Sequence, residues 1–185
     1  GLNKVWIDGP HSKALPESVL FRAITKAREL FRAGRVLADV STLRRVIDLP
    51  VDLDELERPM RRVVDRFLAE AKQLGAHLGY VATNRQAWWS VGLRDPAPIL
   101  TTYMARRPPA FVRNQGGARH INIAHGIYPR DAMNDRVLTK LVDYLSNSVC
   151  VTQGRTYSGG LTKFEPREVE RLLVPGLDLL ATGNA

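Results

Sequence analysis

The chain has 185 residues, of which 44% are hydrophobic, and it carries a formal net charge of +8 at pH 7. This length supports one domain with an ordinary core and is short for two independent domains. No apolar run approaches the roughly 18 residues that a membrane span needs, so we expect no membrane partner. The basic charge favours a polyanion, because Lys and Arg that neutralise phosphates release condensed counterions.

The cysteine content indicates the redox environment of the protein, and the first residue bears on whether the chain is part of a larger protein. The single cysteine, Cys150, excludes an intramolecular disulfide and fits a reducing, cytoplasmic location. Its neighbours Val149 and Val151 predict a small buried side chain. The chain begins at a glycine rather than at Met. We therefore expect it to be a piece of a larger protein.

The N-terminal part of the chain predicts mainly helical structure. Residues 4–7 predict a short strand that ends at a Gly-Pro turn. From Pro16 to Phe31, apolar residues recur at three-four spacing, and Gly34 closes the predicted helix. Shorter strands are predicted for residues 36–40 and 43–47, although the second segment is equally compatible with a helical turn.

A second helix is predicted for residues 53–78, where Pro59 marks the first turn and Gly75 the end. Its apolar stripe consists of Met60, Val63, Val64, Phe67, Leu68, Ala71, Leu74 and Leu78.

Short β-rich pieces follow Tyr80, separated by glycines and prolines. They are residues 87–91, 99–103, 110–113 and 119–123. A helix capped by Asp131 is predicted next, with an apolar face of Val137, Leu138, Leu141, Val142 and Leu145. A further helical piece is predicted after Asn147, and a loop at Ser158-Gly159-Gly160. A last short helix is expected for residues 166–173. These elements predict an α+β fold, with a small twisted β-sheet or partial barrel flanked by amphipathic helices and a helical N-terminal portion.

Residues 85–130 combine seven arginines and no lysine with a single acid, Asp95, and with aromatic and amide side chains. Arg clamps phosphates or reads guanine with a planar fork, and Asn pairs with adenine. This combination predicts a nucleic-acid-binding surface. Its candidate contacts are Arg85, Trp88, Trp89, Arg106, Arg107, Arg113, Asn114, Arg119, His120 and Asn122.

Within this set, four residues are candidates for base edges: Arg113, Asn114, Arg119 and Asn122. Trp88 and Trp89 are adjacent, so on a strand they point to opposite faces, and only one of them can contact a ligand. The other is expected in the core.

Catalytic and metal-binding motifs are weak in this sequence. His120 and His125 lack the third and fourth ligands of a tight metal site. Asp52 and the Glu70-x-Lys72 pair mimic a metal-dependent nuclease, but Glu70 and Lys72 fall on different faces of the predicted helix. Methyl transfer to a base needs a glycine-rich cofactor loop and an Asn/Asp-Pro-Pro-aromatic corner, which the sequence lacks. A standalone DNA- or RNA-binding regulator stays an alternative, and a nuclease is a weaker one.

Several strings of the sequence resemble a known family. They are NRQAWWSVGL at residues 84–93, ARRPPAFVRN at 105–114, ARHINIAHGIYP at 118–129 and YSGGLTKFEP at 157–166. These strings are similar to the C-terminal half of N6-adenine DNA methyltransferases of restriction-modification systems, which include Eco57I-like, TaqI-like and XamI-like enzymes. The opening GLNKVWI resembles the strand that begins the second domain of these proteins.

The resemblance implies a target recognition domain that binds double-stranded DNA. An N-terminal methyltransferase domain of the same parent chain would then bind S-adenosylmethionine and methylate adenine, so we expect no catalytic, cofactor or metal residues here. Tyr157 and Lys163 flank the glycine loop and become candidate phosphate contacts. We expect one domain over residues 1–185, in which residues 1–80 are mainly helical support and residues 81–185 contain the β-rich DNA-reading part and C-terminal helices.

Overall fold

Residues 24–43, which the sequence pattern assigns to the helical support, pack with the C-terminal half of the chain. The computed structural model describes residues 3–157 and 160–182. A first unit comprises the residues up to Ala23 together with Arg44–Arg94, and a second comprises Ile24–Leu43 and the residues from Asp95 onward. The boundary between the two units therefore does not fall near residue 80, where mainly helical structure was predicted to give way to β-rich structure.

Helices and short, mostly antiparallel strands occur in separate runs along the chain, which confirms the α+β class. The α-helices are α1 (Ala27–Ala33), α2 (Arg58–Gln73), α3 (Tyr80–Thr83), α4 (Asp135–Ser148), α5 (Pro166–Glu170) and α6 (Leu177–Thr182). The strands are β1 (Leu20–Ile24), β2 (Val36–Leu37), β3 (Arg45–Ile47), β4 (Ile99–Thr102), β5 (Met104–Ala105), β6 (Phe111–Asn114), β7 (Arg119–His120), β8 (Ala124–Ile127), β9 (Arg155–Tyr157) and β10 (Leu161–Lys163). Single turns of 3-10 helix occur at Lys4–Trp6, Pro10–Ser12, Glu17–Val19, Leu53–Glu55 and Val151–Gln153.

The predicted helix from Pro16 to Phe31 is wrong in its first half. That stretch contains β1, which pairs antiparallel with β3 so that Leu20 lies opposite Ile47. The helix begins only at Ala27, because the Glu29 carboxylate accepts hydrogen bonds from the backbone N–H groups of Thr25 and Lys26 at 2.8 and 2.9 Å. Gly34, at φ 68°, ends α1 as predicted.

The predicted strand at residues 4–7 is also wrong, since a 3-10 turn forms at Lys4–Trp6. The Asn3 side chain accepts a hydrogen bond from the backbone N–H of Val5 at 3.0 Å and so starts the turn. Only Ile7 makes an isolated bridge, to Val46.

The long amphipathic helix is confirmed as α2, although it is shorter than predicted at both ends. A 3-10 turn at Leu53–Glu55 precedes it, and Gly75, at φ 71°, follows it. Its buried face contributes to the core of the first unit, which contains Trp6, Leu15, Val19, Leu20, Ile47, Leu49, Leu53, Val64, Phe67 and Leu68. Leu74 and Leu78, the last members of the predicted stripe, lie beyond the helix and are exposed.

The centre of the second unit is a four-stranded sheet in the order β2-β6-β4-β8. β4 pairs antiparallel with both β6 and β8, whereas β2 pairs parallel with β6. All four residues of β4 and of β6 are buried. Because both faces of these strands are covered, polar residues within them must find partners inside the protein.

A second, three-stranded sheet has the order β5-β10-β9. Among the described residues, neither of these sheets closes into a barrel. The predicted loop at Ser158-Gly159 falls outside the described residues. C-terminal to this sheet, the helix predicted for residues 166–173 is confirmed but ends at Glu170, and α6 was not predicted.

Two predictions around α4 are wrong. Asn134 caps this helix in place of Asp131, by accepting a hydrogen bond from the Val137 N–H at 2.9 Å. Cys150 is exposed rather than buried, while the neighbouring Val149 points into the core. The predicted apolar face of α4 is confirmed and packs against β6. Within residues 3–157 and 160–182, no helix has the length and apolar character needed to cross a membrane.

Replacement of Gly116 by alanine should destabilise the protein. An added Cβ would lie 2.5 Å from the Ala38 carbonyl oxygen and 2.5 Å from Val40 Cγ1, where the turn after β6 approaches the residues after β2. We expect the free energy of unfolding to fall by about 1–3 kcal/mol, because the backbone near Ala38 must move to make room for the added Cβ. Urea denaturation measures this change.

Gly176→Ala is the matched control, since nothing lies within 4 Å of its added Cβ. This variant should stay within about 0.5 kcal/mol of the wild type. Equal stability of the two variants would contradict the close approach at Gly116.

Candidate nucleic-acid interface

The sheet of β5, β10 and β9 presents an exposed face that is both cationic and aromatic. β9 pairs with β10 so that Tyr157 lies opposite Leu161 and Arg155 lies opposite Lys163. Directly opposite residues share one face of an antiparallel sheet, as do alternate residues of one strand. Arg155, Tyr157 and Lys163 therefore lie on the same face. All three residues of β9 are exposed.

The Lys163 ammonium group rests on two tyrosine rings. Its Nζ lies 4.3 Å from the ring centroid of Tyr157 and 5.8 Å from that of Tyr103. The ring quadrupoles attract the cation without neutralising its charge. Lys163 is thus held at the surface in a form that can still meet an anion.

Arg155 belongs to this face, although the sequence prediction did not include it. A hydrogen bond to Tyr157, and then the Glu168 carboxylate, raise the pKa of Arg155. Its guanidinium lies 3.1 Å from Glu168 Oε1, and 62% of its side chain is exposed. The signal for this residue was the alternation Arg-x-Tyr before the glycine loop, which places both side chains on one face of a strand.

Arg106 and Arg107 follow directly after β5 and are exposed. In the register of this sheet, Ala105 lies opposite Thr162, so Arg106 begins the connection at the end where Leu161 pairs with Tyr157. Four predicted contacts therefore lie on or beside one small sheet: Arg106, Arg107, Tyr157 and Lys163.

A half-buried histidine lies next to this sheet. The His125 ring contacts the Tyr103 ring edge to face, with centroids 5.1 Å apart, and its Nε2 lies 3.0 Å from the Phe164 carbonyl oxygen. The Tyr103 hydroxyl donates to Glu165 at 3.3 Å. Burial lowers the pKa of His125, against the opposing effects of the Phe164 carbonyl and Glu165. The neutral ring with its proton on Nε2 fits this contact.

Arg113 and Asn114 do not lie on the surface, so their assignment to base edges has to be corrected. Both are buried. The Arg113 guanidinium donates to the Pro98 carbonyl and to Asp135, each at 2.6 Å. The Asn114 amide group donates to the carbonyl oxygens of Ala97 and Ala118 at 2.8 Å. The terminal nitrogen atoms of Arg113 and the amide group of Asn114 are therefore bonded within the protein and are not presented to a base.

Arg119, His120 and Asn122 lie together on and just after β7. Arg119 pairs with Asp95 at 3.3 Å, and the Asp95 side chain is 91% exposed. His120 is half-buried and Asn122 is exposed. Of the four candidates for base edges, only Arg119 and Asn122 therefore keep a position from which a ligand can be reached.

Arg85, Trp88 and Trp89 belong to the first unit, and the predicted strand at residues 87–91 is wrong. Turns form there instead. The two indole rings contact each other edge to face, with ring centroids 5.8 Å apart. Trp88 packs at a tilt against Trp6, with ring centroids 6.0 Å apart, and Trp89 Nε1 donates to the Pro50 carbonyl at 3.0 Å.

Both indoles therefore pack against the core of the first unit, where the sequence predicted only one of them. Arg85 is half-buried, and burial lowers its pKa.

The acids considered for a nuclease have ordinary structural positions. Asp52 accepts a hydrogen bond from the Asp54 N–H at 2.8 Å and starts a 3-10 turn, while Glu70 is exposed on α2. Across the part of the chain that the structure describes, no three His, Cys, Asp or Glu side chains are grouped so that they could hold a metal ion.

Comparison with known proteins agrees with the predicted resemblance. The family described as the C-terminal domain of the type II methyltransferase M.Eco57I matches residues 30–184. The chain belongs to this family.

Two curated relatives are type II methyltransferases. M.XamI from Xanthomonas campestris pv. amaranthicola is 53% identical over 180 residues, which cover 97% of this chain and 34% of the relative. M.AccI from Acinetobacter calcoaceticus is 22% identical over 171 residues, covering 90% of this chain and 32% of the relative. The chain thus spans about a third of the length of these relatives.

Membership of this family of type II methyltransferases confirms the resemblance that the sequence strings indicated. The family match includes the whole β5-β10-β9 sheet and all twelve predicted contacts. It does not distinguish between them, so the choice among these residues rests on their exposure and contacts.

Asn114→Ala should strongly destabilise the protein. Loss of the amide leaves the buried carbonyl oxygens of Ala97 and Ala118 without this donor, at a cost of about 1–3 kcal/mol for each group. We expect the free energy of unfolding to fall by more than about 2 kcal/mol in urea denaturation. The exposed Asn122→Ala is the control and should change stability by less than about 0.5 kcal/mol. Similar, small effects of both substitutions would contradict a structural role for Asn114.

His125 should make the protein less stable in mild acid. Because its folded pKa is below the ordinary value of 6.5, the unfolded chain binds the proton more readily. The stabilising contribution of neutral His125 is complete when the pH lies above the pKa of the unfolded chain. It is lost as the pH falls towards the lower pKa of the folded protein. Thermal melts from pH 7.5 to 5 should therefore show a smaller loss of Tm for His125→Gln than for the wild type. Parallel curves would refute this assignment.

Proposed function

We propose that this chain recognises double-stranded DNA for a type II methyltransferase that methylates adenine at N6 with S-adenosylmethionine. The observation that supports this proposal best is the exposed face shared by Arg155, Tyr157 and Lys163 on the β5-β10-β9 sheet. Cationic and aromatic side chains on one small sheet suit a phosphodiester backbone better than they suit a small neutral ligand.

The phosphate contacts of this proposal come from the sheet and its edge. Lys163 and Arg155 offer positive charge at adjacent positions of β10 and β9, and Arg106 adds a third cation where β5 ends. Lys163 lies over tyrosine rings and takes part in none of the ion pairs among the described residues, so a phosphate can attract its ammonium without first breaking an ion pair. Tyr157 adds a hydroxyl donor next to this cation. Such contacts position the protein on DNA but do not read its sequence.

The base contacts of the proposal are fewer than the sequence suggested. Arg119 and Asn122 remain candidates, because Asn122 is exposed and the acid partner of Arg119 is itself at the surface. Arg matches the O6 and N7 acceptors of guanine, and Asn matches the N6 and N7 groups of adenine. We withdraw Arg113 and Asn114 from this role because their side chains are buried.

The chemistry of methyl transfer belongs, in this proposal, to residues outside this chain. The sequence contains neither a glycine-rich cofactor loop nor an Asn/Asp-Pro-Pro-aromatic corner. An N-terminal domain of the whole protein would hold S-adenosylmethionine, which supplies the methyl group, and would accept the adenine flipped from the duplex. The present chain would bind the duplex and set the position of the protein along it.

Binding of this chain to duplex DNA should be weak and strongly dependent on salt. Without its catalytic domain, the chain has only part of the DNA-binding surface of the whole protein proposed here. Each neutralised phosphate contributes about −0.9 to the slope of log K against log salt. Fluorescence anisotropy with a labelled duplex at several salt concentrations measures both quantities. Lys163→Gln should make the slope less negative by about 0.9, as expected for one lost phosphate contact.

Lys72→Gln, on the exposed side of α2, removes the same charge elsewhere and should leave the slope unchanged. An affinity that does not change with salt would refute the electrostatic mechanism. Stronger binding to an RNA hairpin than to duplex DNA would favour the RNA-binding alternative.

A further inference from the structure

The helix α1 carries two arginines, Arg28 and Arg32, that are not among the predicted contacts. This helix belongs to the second unit, where Leu30 is fully buried in a core shared with β4 and β6. The strand that follows it, β2, pairs parallel with β6, as Val36 lies opposite Arg113. α1 is therefore fixed on the same unit as the proposed DNA-binding sheet.

The outer side of α1 is strongly basic. Arg28 and Arg32 are both exposed, and their i, i+4 spacing places them on one face of the helix. Like charges at this spacing destabilise a helix, and α1 has only seven residues. An anion that lies between the two guanidinium groups would remove this repulsion.

The acid within α1 does not neutralise these arginines. Both carboxylate oxygens of Glu29 face the start of the helix, where they accept hydrogen bonds from Thr25 and from the Lys26 N–H. Among the described residues, the ion pairs of the protein include neither Arg28 nor Arg32. The positive charge on this face is thus directed to the solvent.

A stacked guanidinium connects this helix to the proposed interface. Arg107, in the connection between β5 and β6, places its Cζ 3.5 Å from the ring centroid of Phe31. Phe31 lies one position before Arg32 and three after Arg28. A guanidinium that stacks on a ring keeps its N–H groups directed outward, where they can bind phosphate oxygens. The stack therefore brings a third cation to the outer side of α1.

We infer that α1 and the β5-β6 connection form a second phosphate clamp, in which Arg28, Arg32 and Arg107 bind the backbone of duplex DNA. This inference rests on the proposed function and extends it to α1, whose arginines are not among the predicted contacts. The clamp holds phosphates and makes no base contact, so it strengthens binding to every duplex by the same factor.

The test is the double variant Arg28→Gln/Arg32→Gln of the full chain, titrated with duplex DNA at several salt concentrations. Two lost phosphate contacts should make the slope of log K against log salt less negative by about 1.8. Affinity for two duplexes of unrelated sequence should fall by the same factor. Circular dichroism should match the wild type, because both side chains are exposed.

The matched control is Arg62→Gln/Arg66→Gln on α2. These arginines are also exposed, have the same i, i+4 spacing and change the net charge equally. The control should keep the wild-type slope. Equal changes in the two double variants would overturn the inference, since net charge alone would then explain the effect.

A single variant tests the stacked cation separately. Phe31→Leu keeps an apolar side chain but removes the ring beneath Arg107. Binding should weaken by about twofold to fivefold, in line with an exposed cation–π contact. Wild-type affinity in this variant would remove Arg107 from the clamp.

The outcomes separate the two proposals. A wild-type chain that does not bind duplex DNA at low salt overturns both the proposed function and the clamp. A wild-type chain that binds DNA, together with an Arg28→Gln/Arg32→Gln variant of unchanged slope, overturns the clamp alone.

Discussion

The buried amide of Asn114 is the contact on which the arrangement of the second unit depends. It joins the residue two before the start of β4 to the residue that precedes β7, through Ala97 and Ala118. Arg113 beside it joins Pro98 to Asp135, the first residue of α4. Buried polar groups without partners are costly, so these bonds strongly favour one relative position of the segments. The exposed connections that follow β5 and β7 are built on this frame.

The same arginine-rich stretch therefore serves two purposes that composition cannot separate. Arg113 lies in a strand whose four residues are all buried, whereas Arg106 and Arg107 lie in an exposed connection. Their guanidinium groups are chemically identical. Only the covering of β6 by neighbouring strands and by α4 turns one of them into a structural cation. The excess positive charge of the sequence thus overstates the number of cations that can meet a phosphate.

Sequence pattern predicted best where structure is local. α2 and the apolar face of α4 follow from helical periodicity alone, and the family was visible in contiguous strings. β1 was missed because the apolar spacing of residues 16–31 favours a helix, whereas the pairing of β1 with β3, a contact with a separate stretch of the chain, makes its first half a strand. The same limit applies to the candidate site. Arg155 depends on its register with β10, and the Arg107–Phe31 stack joins residues far apart in the sequence.

The discontinuous composition of the two units limits how such a domain can be exchanged between genes. The chain passes between the units three times, after Ala23, after Leu43 and after Arg94. Recombination at a single point would therefore divide a hydrophobic core, for example by separating β2 from the sheet that it completes and α1 from the core that it shares. Transfer of the whole second unit between genes would need several compatible junctions. For the DNA recognition proposed above, point substitution at exposed positions is the simpler evolutionary route to a new target sequence, since it leaves every crossing of the chain intact.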